Sequence, residues 1–248
     1  MLRTIASLLL CVAPALFGQS AAIPKFEVAT VKPSPDDSAA SSGIHTGHGR
    51  LHAVNVTLKR CIMGAYAVGP NQILGGPDWA TSDRFEILAK AEQPIDDDDV
   101  FMLMLRDLLA DRFQLKLSRE TRILRAYVLE SGKNGAKLAK ADGGESRTNT
   151  SSSAAGVTID ARNTTMDGFA WILSRKMDLP VVNHTGLEGV FNFKLQWTPE
   201  QLRAADAALA DAPSIFTAIQ EQLGLRLRAE KTAVQVLVID SAAKPSEN

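Results

Sequence analysis

Residues 113–129, FQLKLSRETRILRAYVL, and residues 223–239, LGLRLRAEKTAVQVLVI, align with one another at a single constant offset. Leu115 falls on Leu225, Glu120 on Glu230 and Val128 on Val238. Each stretch follows a run with apolar residues at helical spacing: Met104, Leu105, Leu108 and Leu109 within residues 100–111, and Ile215, Phe216 and Ile219 within residues 214–222. Each then carries two apolar blocks, Leu115 and Leu117 before Ala126, Tyr127, Val128 and Leu129, and Leu225 and Leu227 before Val236, Leu237, Val238 and Ile239. The polar residues between the blocks predict hairpin turns near 119–121 and 229–232, hence a helix followed by two strands.

A second pair of units precedes these. Gly49 leads through Leu51 and Ala53 to Asn55, Val56, Thr57 and Leu58, and Gly156 leads through Val157 and Ile159 to Asn163, Thr164, Thr165 and Met166. Both read as a strand running into a helix capped by Thr57 or Thr165, because a threonine hydroxyl there satisfies an orphan amide of the first turn. Helical spacing continues in Leu58, Ile62, Ala65 and Tyr66, and in Met166, Phe169, Ala170 and Leu173. Alternating strands follow, Phe85, Ile87 and Ala89 in one copy and Val190 or Phe191, Phe193 and Leu195 in the other. Turns at Gly75, Gly76 and Pro77 and at Gly186 to Gly189 precede them.

A helix with its strands cannot cover its own apolar sheet face, so such units pack together around a shared core. The expected class is α+β: duplicated helix-strand-strand units forming antiparallel sheets with helices packed on one face. The expected organisation is a signal peptide at 1–22, a first half at 23–140, a linker or surface loop at 141–156, a second half at 157–242 and a tail at 243–248. The Gly, Ser and Thr content of 141–156, without apolar periodicity, motivates the linker. Phe26, Val28, Thr30 and Val31, stopped by Pro33, read as one more strand at a sheet edge. Residues 199–213 are consistent with a solvated helix or a loop.

Arg3, the apolar residues 5–17 and the small residues Gly18, Ser20, Ala21 and Ala22 have the layout of a secretory leader. The apolar run is shorter than the roughly 20 residues a membrane helix needs, so a secreted or periplasmic protein without a transmembrane segment in its mature form is expected. Cys11 leaves with the leader, which keeps Cys61 without a disulfide partner. Its place among Leu58, Ile62 and Ala65 makes it a buried apolar residue rather than a reactive thiol.

The 248 residues carry 27 basic and 28 acidic side chains, which provides no long-range field for nucleic acid. His45, His48 and His52 form the densest group of metal-type ligands, with His48 and His52 expected on one strand face and His45 on the other. No Cys, Asp or Glu lies between Gly43 and Arg60 to complete a tetrahedral set, so no metal and no cofactor are expected. Asp96, Asp97, Asp98 and Asp99 lack the spacing and central glycine of a calcium loop and stand where a helix begins, which suits capping. No Gly-x-Ser-x-Gly elbow accompanies His184, and Glu86 with Glu188 is a carboxylate pair that sequence alone does not bring together. Trp171 and Trp197 read as core anchors, whereas Trp79 follows a Gly-Gly-Pro turn, where an exposed indole suits peptide or glycan contact. Trp79 with Arg84 is therefore the candidate ligand-binding pair.

Several stretches together resemble a family of exported proteins of unknown function expanded in soil acidobacteria, of Solibacter type. They are the run from Phe26 to Pro33 (FEVATVKP), Gly75-Gly76-Pro77-Asp78-Trp79 with Asp83-Arg84-Phe85, Leu105, Leu108, Leu109, Arg112 and Phe113, Thr185-Gly186-Leu187 with Phe191, and Val238-Ile239-Asp240. The resemblance implies no established reaction, cofactor or catalytic residue, and related domains occur attached to membrane sensor peptidases. The units are also similar, at the level of fold, to periplasmic modules of secretins and TonB-dependent receptors, and fold does not set function. The expected role is a non-catalytic binding or interaction module of the cell envelope, with an envelope protein or a small ligand as its partner. The alternative is an envelope hydrolase whose residues are assembled by the fold.

Overall fold

The computed structural model describes residues 24–34 and 42–246. Residues 1–22, read from the sequence as a leader, lie outside the described residues, and Cys11 with them. In chain order the first copy comprises β1 (Phe26–Pro33), β2 (Gly43–Gly47), β3 (Arg50–Val56), α1 (Leu58–Tyr66), β4 (Ile73–Gly75), α2 (Trp79–Ser82), β5 (Phe85–Ala91), α3 (Asp98–Arg112) and β6 (Lys116–Ser131). The second comprises β7 (Ala139–Ala141), β8 (Arg147–Ser153), β9 (Gly156–Thr164), α4 (Met166–Ser174), β10 (Val181–Asn183), β11 (Val190–Trp197), α5 (Glu200–Ala205), α6 (Ile215–Leu223) and β12 (Leu225–Ser241).

The strands form three sheets, β1-β5-β3-β2, β7-β11-β9-β8 and a central β10-β6-β12-β4. The expected α+β class holds, with helices on one face of each outer sheet. Leu58, Ile62 and Ala65 of α1 and Phe101, Met104, Leu105 and Leu109 of α3 pack on Leu51, Ala53, Phe85 and Ile87, while Phe169 and Leu173 of α4 and Ile219 of α6 pack on Ile159, Ala161, Phe193 and Leu195. β1 pairs with β5 at an edge, as its pattern predicts. The central sheet is mixed rather than antiparallel, because β4 runs parallel to β12 and β10 parallel to β6.

The repeat extends to backbone detail. Thr57 accepts from the Arg60 amide and Thr165 from the Gly168 amide, caps worth about 1 kcal/mol each. Asn55 (φ 51) and Asn163 (φ 48) adopt the left-handed conformation at the register shifts of β3 and β9. Asparagine tolerates that conformation better than most residues, which explains its presence in both copies.

Two expectations are corrected. No hairpin forms at 119–121 or 229–232: β6 and β12 are single strands of 16 and 17 residues. Arg119 to Arg125 offers β-branched Thr121 and Ile123 but no Gly, Pro or Asn to reverse the chain, so the polar block continues as strand. Each long strand pairs antiparallel with its counterpart from the other copy, with Ile123 opposite Ala233 at the centre. Outward from that pair the copies meet crosswise, Tyr127 on Ala229 and Arg119 on Leu237, which is the register of a pseudo-twofold axis. The stretch read as a linker, 141–156, contains β8, which pairs with β9 from Arg147↔Arg162 to Ser153↔Gly156. Its threonines and serines form an edge strand whose side chains are mostly exposed, which hid it from an apolar alternation test. Residues 199–213 form the short α5 followed by a 3-10 turn at Ala207–Leu209.

The crossing interlocks the copies. Leu237 and Ile239 of β12 lie in the core of the first copy, and Leu129 of β6 lies in the core of the second. The opposite face of the central sheet holds Ala126, Val234 and Val236, packed with Leu74, Leu124, Val182 and Val238 near the axis. Charged residues stand opposite these small apolar ones, Glu230 across from Ala126, Arg122 across from Val234 and Glu120 across from Val236. Long charged side chains shield apolar neighbours with their stems, and here they do so in ion pairs, Arg122 with Glu120 (2.7 Å) and Arg228 with Glu230 (2.6 Å).

Candidate functional site

Strand alternation places Leu117, Arg119, Thr121, Ile123, Arg125, Tyr127 and Leu129 on one face of β6, and Leu225, Leu227, Ala229, Lys231, Ala233, Gln235, Leu237 and Ile239 on the same face of β12. The two ends of this face are buried in the cores of the two copies. Its middle, three residues of each strand in register, is left as an open floor between the two lobes. Ile123 at the centre is 68% exposed, although an isoleucine on a central strand is ordinarily covered.

Polar and aromatic groups flank the floor. The Gln235 side chain donates to Thr121 Oγ1 (2.7 Å), which fixes the pair beside Ile123. At one end Tyr127 donates to Asp178 Oδ1 (3.2 Å) and stands edge-on to Phe216 at 5.3 Å, and Phe216 is 42% exposed. At the other end Arg106 lies over the Tyr66 ring at 4.7 Å and donates to the Ala65 carbonyl (2.6 Å). Burial raises the pKa of both tyrosines, countered at Tyr66 by Arg106 and Arg119, and at Tyr127 reinforced by Asp178 and countered by Arg125, so both hydroxyls stay protonated and available as donors at neutral pH. Arg125 lies directly opposite Lys231.

The candidates read from the sequence lie elsewhere. Trp79 opens α2 with its indole against Phe85 (6.3 Å, edge-on) and Phe113 (6.4 Å, stacked), so it anchors the first core instead of standing exposed in a loop. Arg84 donates to the Asn55 carbonyl (3.0 Å) and braces the left-handed residue before α1. Those contacts send the two side chains to different partners. Trp197 is a core residue, and Trp171 is partly buried with Arg175 over its ring at 5.2 Å.

His45 lies directly opposite His52 in the β2–β3 hairpin, so these two share a face, and His48 occupies the turn (φ 49). His48 and His52 do not share a strand face as expected, because the chain reverses at His48 and Gly49 instead of running on as one strand. His52 Nε2 sits 3.1 Å from Glu86 Oε1. Among the described residues no group of three or more His, Cys, Asp or Glu is arranged to hold a metal ion. The acidic run caps α3, with Asp97 accepting from the Asp99 and Val100 amides, and fastens the hairpin through Asp96 to the His48 amide (2.7 Å) and Asp98 to the Thr46 hydroxyl. His184 follows β10 of the central sheet, its amide donating to the Leu129 carbonyl (2.8 Å), and Glu86 belongs to an outer sheet.

Cys61 is buried in α1, and burial pushes its thiol up to about 12 against a smaller opposing effect of Arg60. Thiolate, the reactive form, is then scarce at neutral pH. Iodoacetamide is expected to leave Cys61 unmodified in the folded protein and to label it fully in guanidinium, as read by mass spectrometry. Labelling of the native protein at the denatured rate would contradict the packing of α1.

The model of a family described as a protein of unknown function, DUF3738, matches residues 59–242. The chain belongs to this family. The matched region runs from α1 to the end of β12 and therefore includes the first copy from α1 onward, the whole second copy, the interlocked strands and the floor between them. No curated protein matches the chain, and no solved structure does. Among the described residues no helix is long and apolar enough to cross a membrane. What marked the floor in the sequence was the polar interruption at 119–125 and 229–235, which reads equally well as a pair of turns; the exposure of Ile123 has no sequence signal of its own.

Proposed function

We propose that this protein is an exported, non-catalytic interaction module that receives a protein partner on the floor between its two copies. The observation that carries the reading is the exposed Ile123 at the centre of a sheet face whose two ends are buried. An uncovered apolar residue held on a rigid central strand, flanked by Phe216 and Tyr127, has the make-up of an interface centre. Its placement on long paired strands, rather than on a loop, pre-organises it and lowers the ordering cost of association. The leader-like residues 1–22 support an address outside the cytoplasm.

The test is site-directed photo-crosslinking. With p-benzoylphenylalanine in place of Ile123, exposure to envelope proteins of the source cell is expected to yield a discrete adduct that the same probe in place of Leu88, an exposed residue of β5, does not. Equal or absent crosslinking at the two positions would overturn the reading. Turnover of ester, peptide or glycoside substrates by the purified protein, abolished by His184→Ala, would replace it with a hydrolase.

A further inference from the structure

β6 and β12 treat their two faces differently. On the face away from the floor the charges are paired across and along the strands: Glu130 with Arg226 (2.6 Å) and Arg228 (3.4 Å), Arg228 with Glu230 (2.6 Å), and Arg122 with Glu120 (2.7 Å). On the floor Arg125 faces Lys231 directly, and among the described residues neither side chain has an ion pair or hydrogen bond. Like charges directly opposite on an antiparallel pair are destabilising. Arg119 lies on the same face towards the first copy, beside Arg106 and Tyr66, and among the described residues neither arginine is in a salt bridge. Asp178 and Asp107 lie beside the two tyrosines at the margins. The chain as a whole has a net charge of −1, so this excess of cations is a local arrangement.

Resting on the reading above, we propose that the floor takes an acidic segment of a partner protein, its carboxylates seated at Arg125 and Lys231 and at Arg119, with an apolar side chain of that segment against Ile123. A carboxylate between Arg125 and Lys231 converts the like-charge contact into two charge-assisted hydrogen bonds. The apolar residue at the centre of the cations distinguishes a peptide from a polyphosphate or nucleic acid, which would use a continuous basic stripe with stacking aromatics. Ile123 is not a stacking platform, and Phe216 and Tyr127 present an edge-on pair at one margin.

The test is fluorescence anisotropy with a labelled Glu-Leu-Glu-Asp-Leu-Glu peptide, a Gln-Leu-Gln-Asn-Leu-Gln counterpart and inorganic polyphosphate, using the full chain without its leader. The acidic peptide is expected to bind at least about tenfold more tightly than the amide counterpart, and more weakly as salt rises. The double variant Arg125→Glu with Lys231→Glu is expected to abolish binding, and Ile123→Ser to weaken it at least about fivefold while leaving the salt dependence intact. Should a charge-reversal variant fail to fold, Arg125→Gln with Lys231→Gln gives the same comparison with an expected intermediate loss. Equal affinity for the amide peptide, unchanged affinity in the charge variants, or polyphosphate binding that survives Ile123→Ser would overturn the proposal. Self-association lost in Ile123→Ser, seen by sedimentation, would assign the floor to a second copy and likewise overturn it. If the acidic peptide does not bind while the Ile123 crosslink still captures a partner, the ligand chemistry is wrong and the interaction module stands.

Discussion

Expressed separately, residues 24–132 and residues 133–246 are each expected to lack a cooperative unfolding transition, and to regain one when mixed. The first piece loses Leu237 and Ile239 from its core, and β4 loses β12, its neighbour in the central sheet. The second loses Leu129, and β10 loses β6. Full burial of one such side chain is worth about 1.5 to 3 kcal/mol, against a total stability of about 5 to 15 kcal/mol for a typical domain. Beyond these side chains, the entire β6–β12 ladder from Leu225↔Ser131 to Ser241↔Lys116 is absent from either piece. Thermal denaturation followed by circular dichroism decides the matter. A separate half that melts cooperatively at the temperature of the intact chain would mean that the copies are independent domains and that the crossed strands are incidental.

Gly224→Gln is expected to destabilise the protein by about 2 to 5 kcal/mol, although glutamine occupies the equivalent position of the other copy as Gln114. Both residues have left-handed backbones, φ 64 at Gly224 and φ 48 at Gln114, because both turn the chain from a helix into a long strand. Gln114 is exposed and donates to the Asp111 carbonyl. At Gly224 a Cβ would lie 2.3 Å from the Gly135 carbonyl oxygen and 3.0 Å from the Lys137 amide nitrogen. The loop leaving β6 closes over this corner, with the Gly132 amide donating to the Gly224 carbonyl (2.8 Å). Left-handed strain of about 1 to 2 kcal/mol therefore adds to a backbone clash of the overpacking kind, about 1 to 3 kcal/mol. Denaturant titration measures the sum; a loss below about 0.5 kcal/mol, the range of ordinary surface substitutions, would show that the loop moves aside freely. Gln114→Gly, by contrast, relieves strain and is expected to cost little.

The duplication was legible because its marks are local. Thr57 and Thr165 cap helices whether or not their sheets have formed, and the alternation of Phe85, Ile87 and Ala89 declares a half-buried strand by itself. The turns read at 119–121 and 229–232 failed because a polar interruption between two apolar blocks has the same pattern whether the chain reverses or continues across an exposed floor. Trp79 was misread for a related reason: a Gly-Gly-Pro turn gives no warning that the following indole swings back onto Phe113, which lies far along the chain. The His45–His52 juxtaposition depended on the reversal at His48 and Gly49, so it too followed from a turn the alternation did not reveal.

From the order of its residues alone, the chain determined that it has two copies, where their helices start and which strand residues face inward, since each of these depends on contacts within a few residues. The tertiary structure decided whose core each long strand completes. Tyr127 and Leu129 in one copy and Leu237 and Ile239 in the other are apolar residues at matching positions, so either pair satisfies the alternation of a buried strand end. The choice of the crossed arrangement lies in pairing across more than a hundred residues, and it is that crossing which leaves Ile123, Arg125 and Lys231 uncovered between the lobes.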